Sequence, residues 1–195
     1  MRLALIRHGP TEWNEAGRLQ GLTDVPLSAA GLATVQSWRV PEPYRDFTWV
    51  ASPLIRAQET ARLLGLTCAV EPRICEMNWG QWEGRTREEL IRDYGEEFHN
   101  RAAKGLDLRP HGGESPREVR DRFAAWIASH ANGEERSIGA VTHQGIIRAA
   151  LSLATGWEMI GKPPVRMDWA AVHLFAVDGE GRVAIEAMNV SLEAP

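Results

Sequence analysis

"RLALIRHGPTEWN", residues 2–14, gives the clearest structural signal in this chain. The apolar run Leu3–Ile6 has the length and composition typical of a buried strand. Arg7 and His8 follow that run directly, and a glycine and a proline come next. Proline fixes φ and lacks an N–H donor, so we expect the strand to end before it. The stretch therefore predicts a buried strand that carries a cation and an imidazole at its carboxyl end.

The composition is that of an ordinary globular protein. The 195 residues are 44% hydrophobic and 25% charged, and the formal net charge of −4 gives no overall attraction to nucleic acid or to an anionic membrane. Two cysteines, Cys68 and Cys75, are too few for a disulfide framework and favour a reducing compartment. No apolar run has the length needed to cross a bilayer. We expect one domain over residues 1–195, located in the cytoplasm.

Strand and helix patterns alternate along the chain and end in a hairpin. That hairpin is predicted by "AAVHLFAV" and "RVAIEAM", which bracket "DGEG". Further strands are predicted at 3–6, within "TWVASP" at 48–53, at 67–70 and at 137–142. Helices are predicted at 29–38, 53–64, 86–103, 115–130 and 145–156, and loops at 9–27 and 72–84. Ser52 is the expected N-cap of the second helix, with Gly65 as its stop. This alternation predicts a three-layer α/β/α sandwich with a mostly parallel central sheet.

Three of the predicted strands end in residues that suit one anion. Arg7 and His8 follow the first strand, Arg56 lies in the first turn after the second, and His143 follows the strand at 137–142. The carboxyl ends of parallel strands lie at one edge of a sheet, where ligands bind. Helix N-termini add free N–H groups there, and the arginine fork matches phosphoryl oxygens. The sequence therefore predicts a pocket for a phosphoryl group.

A neutral histidine in such a pocket can attack phosphorus. Neighbouring guanidinium groups favour the neutral imidazole, and a backbone carbonyl that accepts from the other ring nitrogen would fix the tautomer. A single histidine after a strand is more often structural, so this alternative stays open. A metal site is not expected, because neither His8 nor His143 has a carboxylate–histidine set at ligand spacing. The remaining histidines are expected to be surface or packing residues: His99, His111, His130 and His173.

Six stretches in order resemble the histidine phosphatase superfamily, in the branch of the cofactor-dependent phosphoglycerate mutases and their phosphatase relatives. They are "LIRHGPTEWN", "GRLQGLTDVPLSAAG", "ASPLIRAQETA", "ICEMNWGQWEG", "GGESPREVRDR" and "AVTHQGIIRAAL". Together they span residues 4 to about 151. The resemblance implies a phosphoglycerate mutase-like fold and a metal-independent phosphomonoester hydrolase.

The resemblance also implies the role of each site residue. His8 would be the phosphorylated nucleophile, Arg7, Arg56 and His143 would complete the phosphate pocket, and Glu76 would be the general acid and base. Glu83 is the rival carboxylate. We expect the pKa of Glu76 to be raised beside two tryptophans. The implied substrate- or phosphate-binding residues are Asn14, Thr11, Gly21, Gln144 and Gly145.

The reaction depends on what attacks the phosphohistidine. Water would make the chain a phosphatase, whereas a second substrate hydroxyl would make it a phosphoglycerate mutase. The chain is compact and has only a short segment after "WEG", which favours the phosphatase. A non-catalytic phosphate-binding module is a third, weaker alternative. The partner is expected to be a small phosphomonoester, without cofactor, metal, nucleic acid or membrane, and the chain a monomer or homodimer. Compact members of the family include α-ribazole phosphatases and broad phosphomonoesterases, so the substrate stays open.

Four other residues carry expectations of their own. Pro10 stands where relatives commonly have Glu or Gln, so the pocket is expected to lack one substrate-orienting contact. Trp13 is equally consistent with lining the pocket and with packing. Trp126 is expected in the core, and Glu114 is expected to pair with arginines.

Overall fold

A computed structural model describes residues 1–131 and 137–192; the predicted domain at 1–195 extends beyond them at 132–136 and 193–195. Its strands are β1 (Arg2–Arg7), β2 (Thr48–Ala51), β3 (Cys68–Val70), β4 (Ser137–Thr142), β5 (Ala171–Val177) and β6 (Val183–Ser191). They form one sheet in the order β3-β2-β4-β1-β5-β6. Strands β3, β2, β4 and β1 are parallel, and β5 and β6 are antiparallel to their neighbours. The mostly parallel sheet and its terminal hairpin are confirmed.

Helices cover both faces of this sheet. They are α1 (Glu12–Glu15), α2 (Ala29–Ser37), α3 (Glu42–Arg45), α4 (Ile55–Leu63), α5 (Arg87–Tyr94), α6 (Glu96–Ala102), α7 (Pro116–Ala131) and α8 (Gln144–Thr155). Successive β1 residues point to opposite faces. Leu3 and Leu5 are buried in one cluster with residues of α7 and α8, whereas Ala4 and Ile6 are buried in another with residues of α2 and α4. This arrangement confirms the α/β/α sandwich, and Trp126 lies in the first cluster as expected.

The helix after β2 begins later than predicted. Its N-cap is Leu54, and the first helical residue is Ile55. The prediction that Ser52 caps this helix is wrong, because the Ser52 hydroxyl pairs instead with His143 on the neighbouring strand end. The stop at Gly65 is confirmed by its φ of +71°, which favours glycine.

Local turns refine the remaining predictions. The expected loop 9–27 contains α1, and the expected loop 72–84 contains two single 3₁₀ turns, Pro72–Ile74 and Gly80–Trp82. The predicted helical segment 86–103 is divided at Gly95, whose φ is +52°. Of the helices within the described ranges, none is both long and apolar enough to cross a membrane.

Candidate active site

The ends of β1, β2 and β4 meet at one edge of the sheet. The amide of His8 donates to the Thr142 carbonyl at 2.9 Å, and the amide of Ser52 donates to the Val141 carbonyl at 3.0 Å. The rings of His8 and His143 consequently lie with their centroids 5.2 Å apart. The parallel register thus brings the two histidines together, as the strand-end pattern indicates.

His8 is held in one tautomer. Its Nδ1 lies 2.7 Å from the carbonyl oxygen of Gly9. A carbonyl oxygen only accepts, so Nδ1 carries the proton and Nε2 keeps its lone pair. Burial lowers the pKa of His8 well below its ordinary value, and the charges of Arg7 and Arg56 lower it further. A neutral imidazole with a free Nε2 is a competent nucleophile.

Two arginines bring donors to the same place. Arg56 is fully buried and donates from its Nη atoms to the carbonyls of Thr23, at 3.0 Å, and Gly21, at 2.8 Å. Its buried Nε has no hydrogen-bond partner among the described residues, and the same is true of Nε of Arg7. Arg7 also lies over the Trp169 ring at 5.2 Å. Buried unpaired donors are costly, and the oxygens of a bound phosphoryl group would satisfy them.

His143 is fixed from the β2 side. Its Nε2 is 2.7 Å from the Ser52 hydroxyl, and both residues are fully buried. Its Nδ1 has no hydrogen-bond partner within the described part of the chain. Burial lowers the pKa of His143 well below the ordinary value, and the neighbouring His8 ring and the charges of Arg56 and Arg7 lower it further. The second histidine is therefore also neutral near pH 7.

Glu76 approaches the site from the segment after β3. Its Oε1 accepts from the amides of Met77, at 2.8 Å, and Gly145, at 3.1 Å. Burial raises the pKa of Glu76, and this effect exceeds the opposing hydrogen bonds and the charges of Arg56 and Arg7. The raised pKa agrees with the expectation and suits a carboxyl that must hold a proton.

The rival carboxylate Glu83 organises loops instead. It accepts hydrogen bonds from the amides of Leu22 (2.9 Å), Thr23 (3.0 Å) and Trp79 (3.2 Å) and from the Thr23 hydroxyl at 2.6 Å. Gly21 has a φ of +57°, and a Cβ there would collide with the Glu83 carboxylate. Glu83 thereby shapes the loop whose Gly21 and Thr23 carbonyls accept from Arg56.

Several of these groups line a cavity of about 290 Å³. Eight of the sequence-predicted site residues line it: Arg7, His8, Asn14, Gly21, Arg56, Glu76, Gln144 and Gly145. Thr11 and His143 do not line it. Thr11 is fully buried and forms a capping box with Asn14, in which each side chain accepts from the other residue's amide at 3.1 Å. Thr11 therefore orients a cavity residue from behind.

Sequence reasoning missed several residues of the cavity wall: Arg18, Gln20, Arg148, Trp157 and Met159. A signal existed for Arg148, which follows Gln144 by four residues and so shares its helix face. Trp13 and Pro10 are absent from the described wall. The ring of Trp13 packs near Gly84, and the carbonyl of Pro10 accepts from the Ser28 amide at 3.1 Å.

Two structural expectations are confirmed. Glu114 pairs with Nε of Arg122 at 2.8 Å. His173 is fully buried and has the ring of Trp169 at 6.3 Å, in a T-shaped contact. Within residues 1–131 and 137–192, no group of three or more His, Cys, Asp or Glu side chains is placed to hold a metal ion.

Comparison with known proteins gives a consistent result. Residues 3–191 match the model of the histidine phosphatase superfamily (branch 1). The chain is 31% identical over 186 residues to a glucosyl-3-phosphoglycerate phosphatase of Mycolicibacterium vanbaalenii, covering 82% of this chain and 79% of that one. It is 30% identical over 183 residues to the adenosylcobalamin/alpha-ribazole phosphatase of Escherichia coli, and the match covers 89% of this chain and 90% of that one. The solved structure of a mycobacterial glucosyl-3-phosphoglycerate phosphatase in complex with VO3 superposes on this chain with a TM-score of 0.79 at 28% identity. The match covers 97% of this chain and 99% of that one.

Proposed function

Because the chain belongs to the histidine phosphatase superfamily, branch 1, we propose that it hydrolyses a small phosphomonoester through a phosphohistidine on His8. The observation that carries this proposal is the tautomer of His8. Its Nδ1 proton is engaged by the Gly9 carbonyl 2.7 Å away, which leaves Nε2 unprotonated beside two guanidinium groups. That is the state a nucleophile toward phosphorus requires.

In the first step, Nε2 of His8 attacks phosphorus and the bond between phosphorus and the ester oxygen breaks. Arg7 and Arg56 supply donors to the phosphoryl oxygens while charge is spread over them. The leaving alkoxide takes the proton of the Glu76 carboxyl and departs as an alcohol. Burial of Glu76 keeps that proton available at a higher pH than for an ordinary glutamate.

In the second step, Glu76 is a carboxylate and takes a proton from water. The water oxygen bonds to phosphorus, the bond from phosphorus to Nε2 breaks, and inorganic phosphate leaves. Neutral His8 and protonated Glu76 are regenerated. Protons and charge balance in both steps with these side chains alone.

The test is hydrolysis of p-nitrophenyl phosphate in the presence of a chelator, by the wild type, His8→Ala and His99→Ala. We expect His8→Ala to lose at least about a thousandfold in kcat/KM, which corresponds to about 4 kcal/mol. His99 is exposed on α6 and serves as the control that should retain full activity. Equal rates for the wild type and His8→Ala would refute the proposed nucleophile.

The runner-up mutase reaction has its own measurement. With 3-phosphoglycerate and a catalytic amount of 2,3-bisphosphoglycerate, a phosphatase releases inorganic phosphate and a mutase produces 2-phosphoglycerate. We expect phosphate. Formation of 2-phosphoglycerate without phosphate release would mean that a substrate hydroxyl, and not water, attacks the phosphohistidine in the second step.

A further inference from the structure

The two arginines of the phosphate pocket are held in different ways. The Nη atoms of Arg56 donate to two backbone carbonyls. The guanidinium of Arg7 instead lies over the ring of Trp169, 5.2 Å from its centroid. Nε of Arg7 is buried and has no hydrogen-bond partner among the described residues. An aromatic face therefore supports Arg7 where backbone acceptors hold Arg56.

A ring face suits an arginine that must bind an anion. A carboxylate partner would occupy the N–H groups of the guanidinium and cancel its charge. A ring contacts the flat face of the guanidinium and leaves the N–H groups at its edge free for phosphoryl oxygens. Burial lowers the pKa of Arg7, and a cation–π contact favours the charged form of such a buried group. Trp169 can thus hold Arg7 without weakening its attraction for a phosphoryl group.

Trp169 lies behind the cavity and is itself anchored. It is absent from the described cavity wall and precedes the first residue of β5 by two positions. The amide of Asp168 donates to Oδ1 of Asn189 at 2.7 Å, and Nδ2 of Asn189 donates to the carbonyl of Arg166 at 2.8 Å. The Asn189 side chain thereby clamps residues 166–168, directly before the residue that carries the ring.

The backbone of Asn189 is unusual for a strand residue. Its φ is +59°, in the left-handed region that asparagine tolerates better than most residues. On β6, positions 188 and 189 lie opposite the single β5 residue His173, which makes a β-bulge. A left-handed residue other than glycine costs free energy and persists where other contacts compensate. The two hydrogen bonds of the clamp supply such contacts.

We propose that Trp169 is a positioning residue for phosphoryl transfer, which holds the Arg7 guanidinium with its N–H edge toward the phosphoryl oxygens, and that Asn189 fixes the segment that carries the ring. This inference rests on the proposed function and adds to it residues that act through Arg7. A desolvated cation–π contact contributes up to a factor of about thirty to an equilibrium constant.

The test measures kcat/KM for p-nitrophenyl phosphate and, independently of turnover, the Kd of inorganic phosphate by isothermal titration calorimetry. Trp169→Leu removes the ring and should lower kcat/KM by about ten- to thirtyfold and raise the Kd by about three- to thirtyfold. Trp169→Phe keeps a smaller ring and should stay within about fivefold of the wild type in both. Phe47→Leu is the matched control, because it removes a ring that lies 5.7 Å from the guanidinium of Arg2, at the other end of β1. It should leave both values unchanged.

A double-mutant cycle assigns the loss to Arg7. In an Arg7→Gln background the guanidinium is absent, so adding Trp169→Leu should lower kcat/KM by less than about threefold. Asn189→Gly keeps the left-handed backbone and removes the clamp, so it should lower kcat/KM by about three- to tenfold in the wild type and by less than about twofold in Trp169→Leu. Thermal melts establish that each variant is folded at the assay temperature.

A Trp169→Leu protein with wild-type kcat/KM and phosphate affinity would overturn the inference, as would an equal loss in the wild-type and Arg7→Gln backgrounds. Full activity of Asn189→Gly would overturn the role of the clamp. A wild type that does not hydrolyse p-nitrophenyl phosphate, but binds phosphate in a manner that depends on Trp169, would refute the proposed function and support the positioning of Arg7.

Discussion

Replacing Glu76 by glutamine removes the acidic proton and keeps the shape of the side chain. The amide oxygen of the introduced glutamine can still accept from the amides of Met77 and Gly145, which lie 2.8 and 3.1 Å from Oε1 of the glutamate. Loss of a general acid costs about 10²–10⁴-fold, or about 3 to 5 kcal/mol, when the leaving group is a poor one. We therefore expect this loss in kcat/KM for an alkyl phosphate such as glycerol 3-phosphate.

A good leaving group makes the same variant informative about the first step. p-Nitrophenolate departs without a proton, so kcat/KM for p-nitrophenyl phosphate should fall by less than about tenfold. The second step still lacks its base, so a burst of up to one equivalent of p-nitrophenolate should precede slow turnover. Stopped-flow absorbance measures the burst, and steady-state assays measure both kcat/KM values.

Glu83→Gln is the control, because Glu83 organises the loop beside Arg56 and is not the proposed proton donor. It should lower kcat/KM by the same factor for both substrates. Equal losses on the two substrates for Glu76→Gln would refute the assignment of Glu76 as the acid.

The pH dependence follows from the same proton. Since burial raises the pKa of Glu76, the wild-type kcat/KM for the alkyl ester should fall as the pH rises through that raised pKa. Glu76→Gln should lack this fall. Since burial lowers the pKa of His8 well below 6.5, the loss of nucleophile at low pH should set in well below 6.5. Measuring kcat/KM of the wild type and of Glu76→Gln against pH checks both the fall at high pH and the fall at low pH.

Three further changes test the supporting structure. Ser52→Ala leaves the buried Nε2 of His143 without a partner. The free energy of unfolding, measured by thermal unfolding, should therefore fall by about 1–3 kcal/mol. Gly145→Ala places a Cβ against Oε1 of Glu76, so kcat should fall at least about tenfold while the fold, followed by circular dichroism, is kept. Burial lowers the pKa of His173 from 6.5 to about 4, so the unfolded state binds the proton first as the pH falls. Between pH 7 and pH 4, the free energy of unfolding measured by chemical denaturation should fall by about 3 kcal/mol more for the wild type than for His173→Leu.

Each of these changes has a control in the chain. Ser37→Ala removes an exposed hydroxyl that donates to a carbonyl, and should cost less than about 0.5 kcal/mol. Gly179→Ala meets open space and should leave activity unchanged. Phe175→Leu also replaces a fully buried ring on β5 but removes no titratable group, so it should have the wild-type pH dependence of stability. A Ser52→Ala protein as stable as the wild type, an active Gly145→Ala, or parallel pH curves for His173→Leu would contradict the respective contacts.

Much of the candidate site can be predicted from the sequence because several of its residues lie at strand ends. Arg7, His8 and His143 follow strong local strand signals, and parallel pairing then brings them together without further information. Glu76 is different, since its raised pKa comes from burial by distant segments. Only its resemblance to a family pattern distinguished it from Glu83, which is as good a carboxylate by local sequence.

What the sequence did not reveal depends on contacts between segments far apart in the chain. Ser52 has the residue type and position of a helix cap, but the hydroxyl meets His143, 91 residues away, because β2 and β4 are neighbours. Arg148 looks like any solvated helix cation until its unpaired Nε and the Trp157 ring are seen. Pro10 was expected to change a pocket contact, whereas the described cavity wall excludes it and its effect on specificity stays a prediction.

Direct detection of the proposed phosphohistidine distinguishes this mechanism from direct attack of water on the substrate. Glu76→Gln mixed with p-nitrophenyl phosphate should accumulate the phosphoenzyme, because water attack lacks its base. Quenching under alkaline conditions that preserve phosphohistidine, followed by peptide mass spectrometry and ³¹P NMR, should find up to one phosphate per chain, on Nε2 of His8. Phosphate on His143 or another residue, or no phosphoenzyme while p-nitrophenolate is being released, would contradict it.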